Sequence, residues 1–513
     1  MHTFEGENKN YTQISLQSVM SGTLNYIKKE IDGRTLDPES WDEMRSLAHT
    51  MVNDMIDYLQ GVGDRAVWTK PPMESRDGVG GDVPMIPTDP SEVYAQFKKD
   101  ILPYTKGNIS PRHFSWVEGN GTVMGMLADM LAAGMNPNVT IGDHMPMYVD
   151  QAVIEWCRQI MGLPETASGM LVSGGSLANI TALTVARNNL MNGRIRTSGM
   201  VQTGVQLVVY CSSETHNCMN KAVEVLGIGS DYLRRIPVDS DFRIDTQALK
   251  EQITADRING LQPFCIIGNA GTVNTGAIDP LDELLAIARE EELWFHVDGA
   301  FGAVAKLSEA FAPSLKAIEE ADSLAFDLHK WFYVNYEVGC VMIRDREIHR
   351  NAFKLDANYL LSHDRGLAAG PETLSHYGLE LSRGFKALKV WMSLKEHGVD
   401  RYRELVDRNI AQAHYLGELV SNDADFELMV PVSLNIVCFR YRFDSGSTET
   451  DNQLNRELLM RLHESGIATP SYTILSGKYC IRVNITNHRT QKADLDMMMD
   501  WLRAEAAASR IES

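Results

Sequence analysis

The sequence predicts an α/β fold: a mainly parallel sheet with helices on both faces, preceded by a helical segment and followed by a smaller α+β domain. Three observations predict it. From about residue 106 to 385, short apolar runs alternate with helix-length segments, and each run ends in turn chemistry. Before that stretch apolar residues recur at helical spacing, and after it strand-like runs and helices are mixed.

In chain order, Trp41, Met44, Leu47, Met51, Met55 and Leu59 fall on one helical face, and a Gly/Pro-rich stretch at 71–90 interrupts the pattern. An amphipathic helix pair without a core of its own needs a further surface to cover it. Strands are expected at residues 169–172, 206–210, 264–267, 294–297 and 321–326. A long helix over 385–396 leads into the last domain. There 435–441 and 479–485 read as strands, and Thr490 caps a final helix through 501 whose fraying end is the alanine-rich 504–508. The expected division is 1–105, 106–385 and 386–513.

Composition excludes several functions. The chain of 513 residues carries 48 Lys and Arg against 68 Asp and Glu, a formal charge of −20. With no long basic run, this balance argues against nucleic acid and against an anionic membrane surface as partners. The first residues lack a basic and apolar leader, and no apolar run approaches transmembrane length. The seven cysteines are scattered, odd in number and without CxxC spacing, which fits reduced thiols in a cytoplasm and no metal site.

Two residues point to chemistry. Asp298 ends the apolar run from Leu293, and a glycine follows it. Lys330 follows the next strand-like run in Asp327-Leu328-His329-Lys330-Trp331. Alone, a lysine is ordinarily a solvated surface group and a strand-end aspartate a turn former. In a parallel α/β sheet, however, both stand beyond strand C-termini, where ligands bind. An amine to hold an aldehyde and a carboxylate to keep a pyridine nitrogen protonated together suggest pyridoxal 5'-phosphate (PLP).

Other segments fit the same cleft. Ser173-Gly174-Gly175-Ser176 joins a strand to a helix, so small residues and a helix N-terminus meet where a phosphate can sit. It is neither a Walker A loop nor a spaced GxGxxG, and such turns commonly bind nothing. His216 follows another strand in Ser212-Ser213-Glu214-Thr215-His216, a position more often structural than catalytic. Thr272 lies in a second small-residue loop, where a hydroxyl is often just a turn former.

His296-Val297-Asp298-Gly299-Ala300-Phe301-Gly302 and the Asp327–Trp331 motif, in matching order from about residue 40 onward, resemble the group II PLP-dependent amino-acid decarboxylases. These belong to the fold-type-I PLP-dependent transferase-like enzymes. The resemblance implies a PLP-binding large domain over 106–385, an N-terminal arm over 1–105 that packs on the partner of a homodimer, and a small domain over 386–513. It also implies roles. Gly175 and Ser176 hold the phosphate, and His216 stacks on the pyridine ring. Thr272 lies beside the ring, Ala300 against its face, and His296 on the strand carrying Asp298. His329 and Lys330 complete the cofactor site, and Trp116 and Arg383 border the substrate.

Three departures qualify it. Asp327 stands where animal aromatic amino acid decarboxylases usually have asparagine; a carboxylate beside a phosphate is unfavourable unless it is turned away or hydrogen-bonded, so it is not assigned to phosphate binding. The loop 362–374 has no tyrosine where the family's proton donor lies, although Tyr359 and Tyr377 flank it and His363 or His376 is a substitute acid. In the pocket stretch 111–120, Trp116 replaces a tyrosine, and Glu118 and Asn120 are polar. The expected function is therefore PLP-dependent decarboxylation of an L-amino acid, aromatic on the strength of Trp116, by a cytoplasmic, homodimeric carboxy-lyase of amino-acid metabolism. The alternatives are an oxidative deaminase that yields an aldehyde and a PLP-binding protein without catalysis. A transaminase ranks below these.

Overall fold

The computed structural model describes residues 35–201, 204–355 and 363–512, with side chains up to residue 508. Tyr359, Ser362 and the first 34 residues lie outside the described residues. The chain divides into two compact units, 1–57 and 58–513, so the segment expected as one piece over 1–105 is shared between them. The helix Trp41–Gln60 carries the predicted apolar periodicity. Among the described residues no helix is long and apolar enough to cross a membrane.

Twelve strands are present among the described residues. They are β1 (His113–Phe114), β2 (Ser168–Val172), β3 (Leu207–Ser212), β4 (Leu233–Ile236), β5 (Gln262–Asn269), β6 (Trp294–Asp298), β7 (Ser323–Asp327), β8 (Gly339–Ile343), β9 (Phe426–Leu428), β10 (Ile436–Tyr441), β11 (Thr469–Leu475) and β12 (Lys478–Asn484). The large sheet has the order β2-β8-β7-β6-β5-β3-β4. It is parallel from β7 through β4, while β8 runs antiparallel to both β2 and β7. The expectation of a mainly parallel sheet therefore holds. The exception has a local cause: only a short connection joins β7 to β8, too short for the crossover that a parallel neighbour needs. That connection carries Lys330.

Helix Gly175–Leu190 packs across β2, β5, β6, β7 and β8 of the large sheet. Its residues Ala178, Thr181, Ala182, Leu183, Val185 and Ala186 are buried on several sides, as expected of a helix packed inside a domain. The core beneath the sheet joins Leu171, Tyr210, Ile266, Phe295, Val297, Leu324 and Met342. These are the β-branched, aromatic and long apolar residues that the alternating runs supplied.

The smaller sheet has the order β1-β11-β12-β10-β9, with β1 parallel to β11 and the other pairs antiparallel. Phe439, Tyr441, Leu458, Leu462, Ile481, Val483, Met498 and Leu502 form its core. Two details differ from expectation. The helix foreseen over 385–396 is Ala387–Ser421, interrupted at Gly398 (φ 69°, ψ 156°), a backbone conformation that glycine permits. Thr490 does not cap the last helix, Lys492–Glu512: its hydroxyl donates to the Pro111 carbonyl at 2.6 Å, tying this helix to the stretch before β1.

Candidate active site

A cavity of about 480 Å³ opens at the C-terminal ends of β2, β3, β5, β6 and the β7–β8 connection. Its walls include Trp116, Gly175, Ser176, His216, Asp298, Ala300, His329 and Lys330. These eight expected site residues, spread over more than 200 positions of sequence, are brought together because each follows a strand or joins the same end of the sheet. Thr272 and Arg383 fall outside the lining. Thr272 is buried with its hydroxyl on Thr275 at 3.0 Å, and its neighbours Gly271 and Val273 face the cavity instead. Arg383 is spent elsewhere: its guanidinium meets Asp150 at 3.3 Å and the carbonyls of Val139 and Leu171 at 2.8 and 3.0 Å. Loop residues His363 and His376 also stand apart from the lining, with His376 beside Glu372 at 3.4 Å.

Asp298 ends β6 in register with Asn269 on β5. Its Oδ1 accepts from the Ala300 amide at 3.1 Å and its Oδ2 from Asn179 Nδ2 at 3.3 Å. Behind Asn179 the hydrogen bonds continue. His296 Nε2 meets Asn179 Oδ1 at 2.8 Å, His296 Nδ1 meets Ser323 Oγ at 2.8 Å, and Trp294 Nε1 donates to Ser323 Oγ at 2.7 Å. The two ends fix the direction. An indole N–H can only donate, and an Asn179 amide that donates to Asp298 presents its oxygen to His296. His296 therefore carries its proton on Nε2, and every bond in the chain donates toward the carboxylate. Burial pushes His296 down to about 3, so it is a neutral link. Burial also raises the Asp298 carboxyl above its ordinary value, and the charge on Lys330 opposes that rise.

Lys330 Nζ lies 3.0 Å from Asp327 Oδ2, with the lysine side chain 24% exposed and the aspartate 2%. Burial disfavours the lysine's charge, but Asp327 and Asp298 outweigh it and raise its affinity for a proton. Asp327 is turned beneath the glycine loop. A Cβ on Gly175 would stand 3.0 Å from its Oδ2, and one on Gly339 would stand 2.5 Å from its Oδ1 and 2.6 Å from Gly174 Cα. His329 packs against the same loop, 3.2 Å from where a Gly174 Cβ would be. His216 accepts the Cys218 amide on Nδ1 at 3.1 Å, leaving Nε2 for the proton, and burial lowers its pKa.

These residues fit PLP. A glycine loop in which a Cβ on Gly174 or Gly175 would crowd His329 or Asp327 opens helix Gly175–Leu190 and offers backbone N–H groups to an anion. A buried carboxylate fed by a one-way hydrogen-bond chain suits a pyridinium, and a lysine amine stands across from it. Asn179, Asn269 and Tyr336 also border the cavity and are not marked by the sequence, and Cys218, which with Cys211 is a candidate cleft thiol from sequence, borders it too. Asn179 had one available signal: it lies one helical turn after Ser176, at the start of a helix that begins at the glycine loop.

A family model described as "Pyridoxal-dependent decarboxylase conserved domain" matches residues 72–442. An aromatic-L-amino-acid decarboxylase of Bacillus atrophaeus is 35% identical over 471 residues, covering 91% of this chain and 96% of the relative. A phenylacetaldehyde synthase of Arabidopsis thaliana is 28% identical over 486 residues, covering 93% of this chain and 98% of the relative. The crystal structure of Catharanthus roseus tryptophan decarboxylase in complex with L-tryptophan superposes with a TM-score of 0.81 at 24% identity, covering 92% of this chain and all of the other, a likeness of fold.

Proposed function

The chain belongs to the pyridoxal-dependent decarboxylase family and is a PLP-dependent carboxy-lyase acting on an amino acid; from that premise we propose that its substrate is an aromatic L-amino acid, converted to the amine and carbon dioxide. The observation that carries the proposal is the meeting of Lys330, Asp298 and His216 on the walls of one cavity whose border includes the aromatic ring of Trp116, 54% exposed, with Lys106 Nζ 4.0 Å from its centroid. The similarity to an aromatic-L-amino-acid decarboxylase supports the same substrate class.

PLP, when bound, supplies an aldehyde for the substrate amine and a ring that accepts electrons. The chain's residues do the rest. We assign the phosphate to the N-terminal turn Gly175–Ser176 and the pyridine nitrogen to Asp298, which holds a proton there. His216 and Ala300 border the ring from the cavity walls. Lys330 holds the aldehyde carbon, and Asp327 takes up the charge of its ammonium whenever the amine is released. Thr272, held by its own loop, acts through the placement of Gly271 and Val273. Arg383 acts by fixing the segment 138–150 to β2.

A second reading is decarboxylation coupled to oxidation, giving an aldehyde. It is motivated by the absence of tyrosine from 362–374 and by the similarity to a phenylacetaldehyde synthase. A non-catalytic PLP-binding role would leave the lysine, aspartate and histidine together without purpose. We further propose a cytoplasmic homodimer. All seven cysteines are free and buried, and Val83, Met85 and Ile86 are exposed together on unit 58–513. A screen of L-amino acids with products identified by mass spectrometry tests the substrate: amines from Trp, Tyr or Phe support the reading, and turnover confined to aliphatic or acidic amino acids contradicts it.

A further inference from the structure

Decarboxylation leaves an electron pair on the carbon that carried the carboxylate, and the group that protonates it decides between amine and oxidised product. We propose that Tyr336 is that proton donor. This rests on the decarboxylase reading above. Tyr336 borders the cavity from the same β7–β8 connection as Lys330 and His329, and is 47% exposed. Its ring packs on His329 with centroids 4.4 Å apart, and Lys389 Nζ donates to its backbone carbonyl at 2.9 Å. The Gly119 amide donates to its phenol oxygen at 3.3 Å. That bond leaves the hydroxyl proton available and stabilises the oxygen as the proton departs, as an oxyanion site does.

His216 and Lys330 are assigned to the cofactor, and among the described residues three other acids near the site are committed. Tyr377 donates its hydroxyl to Glu372 at 2.7 Å and packs its ring against His349. His376 lies beside the same glutamate, and the loop 362–374 contains no tyrosine. His329 Nδ1 is engaged with Val338. The titratable groups around Tyr336 are Asp327 at the end of β7, His329, Lys330 and Glu337 on its own connection, Glu118 from the stretch after β1, and Lys389 from helix Ala387–Ser421. Burial holds the phenol protonated, with Glu118 and Asp327 acting in the same sense and the Gly119 amide and Lys330 against it.

The step balances without an oxidant. The bond from Cα to the carboxylate carbon breaks, and its electron pair stays on Cα. That pair forms a C–H bond with the proton from Tyr336 Oη, and the phenolate regains a proton from solvent.

The test uses the holoenzyme of Tyr336→Phe with L-tryptophan, L-tyrosine and L-phenylalanine. The cofactor's resting absorbance should be retained and carbon dioxide release should continue at a lower rate. The amine share of product should fall at least tenfold in favour of aldehyde with oxygen uptake. Under nitrogen, a long-wavelength absorbance should persist after mixing with substrate. An amine share within twofold of wild type would overturn the proposal. So would equal loss of carbon dioxide and amine with the cofactor still bound, because Tyr336 would then act before the carbon–carbon bond breaks. Should that variant not fold, 3-fluorotyrosine at position 336 decides. A more acidic phenol must move the high-pH fall of amine formation to lower pH, and an unmoved limb overturns the assignment. Wild-type enzyme that releases no carbon dioxide from any amino acid would defeat the decarboxylase reading itself.

Discussion

Lys330 and Asp298 face the same cavity with opposite charges, and each changes the other's protonation. Lys330→Ala should abolish both turnover and the visible absorbance of bound cofactor; an unchanged spectrum would place the cofactor elsewhere. Asp298→Ala should abolish turnover and Asp298→Asn should reduce it by roughly 10²–10³-fold, because only an ionised carboxylate strongly stabilises a pyridinium. Asp298→Glu should retain more activity than either, and a near-normal asparagine variant would make Asp298 a turn residue. The chain from Trp294 to Asp298 gives a further expectation. Asn179→Leu removes one hydrogen bond to a charged group, worth about 1.5 kcal/mol, and so should weaken PLP binding about tenfold. A Kd within twofold of wild type in a spectroscopic titration would show that Asn179 only fills space. Asp298 and Lys330 were legible in sequence because strand-end chemistry and a following turn mark them. Asn179 and Tyr336 were not, since their roles depend on partners from other strands and from the stretch 113–120.

At the scale of elements, the short β7–β8 connection forces β8 antiparallel and presents Lys330, His329 and Tyr336 to one cleft. The alternation of apolar runs and helices made the sheet legible. The reversal of β8 was not legible, because it comes from the length of a connection rather than from periodicity. Arg383 stands outside the cavity lining for a related reason: the resemblance implies a place beside the substrate, while Asp150, with which it pairs, sits on helix Met145–Met161. A second element contact sets a pH response. His349 joins β2 to the segment after the loop, with Nδ1 on Ser168 Oγ at 2.8 Å and Nε2 on the Tyr377 carbonyl at 2.8 Å. Burial pushes it down to about 4, so the folded protein holds it neutral while the unfolded chain protonates it below about 6.5. Its contribution is present above that value and is lost as pH falls toward 4. The gap in Tm between wild type and His349→Gln should therefore be larger at pH 7.5 than at pH 5. A gap that widens on acidification would contradict a neutral buried histidine.

For the whole molecule, the exposed Val83, Met85 and Ile86 are the groups that a second copy would cover. Light scattering should give a dimer for wild type and a shift toward monomer for Met85→Asp combined with Ile86→Asp; a wild-type monomer would remove the dimer from the account. The reaction itself is tested most directly by measuring carbon dioxide, amine and oxygen uptake together on one aromatic L-amino acid in air. One carbon dioxide per amine is expected, with minor oxygen uptake and a small aldehyde fraction. Aldehyde as the sole product with stoichiometric oxygen uptake would make this an oxidative deaminase, and keto acid without carbon dioxide would contradict decarboxylation altogether.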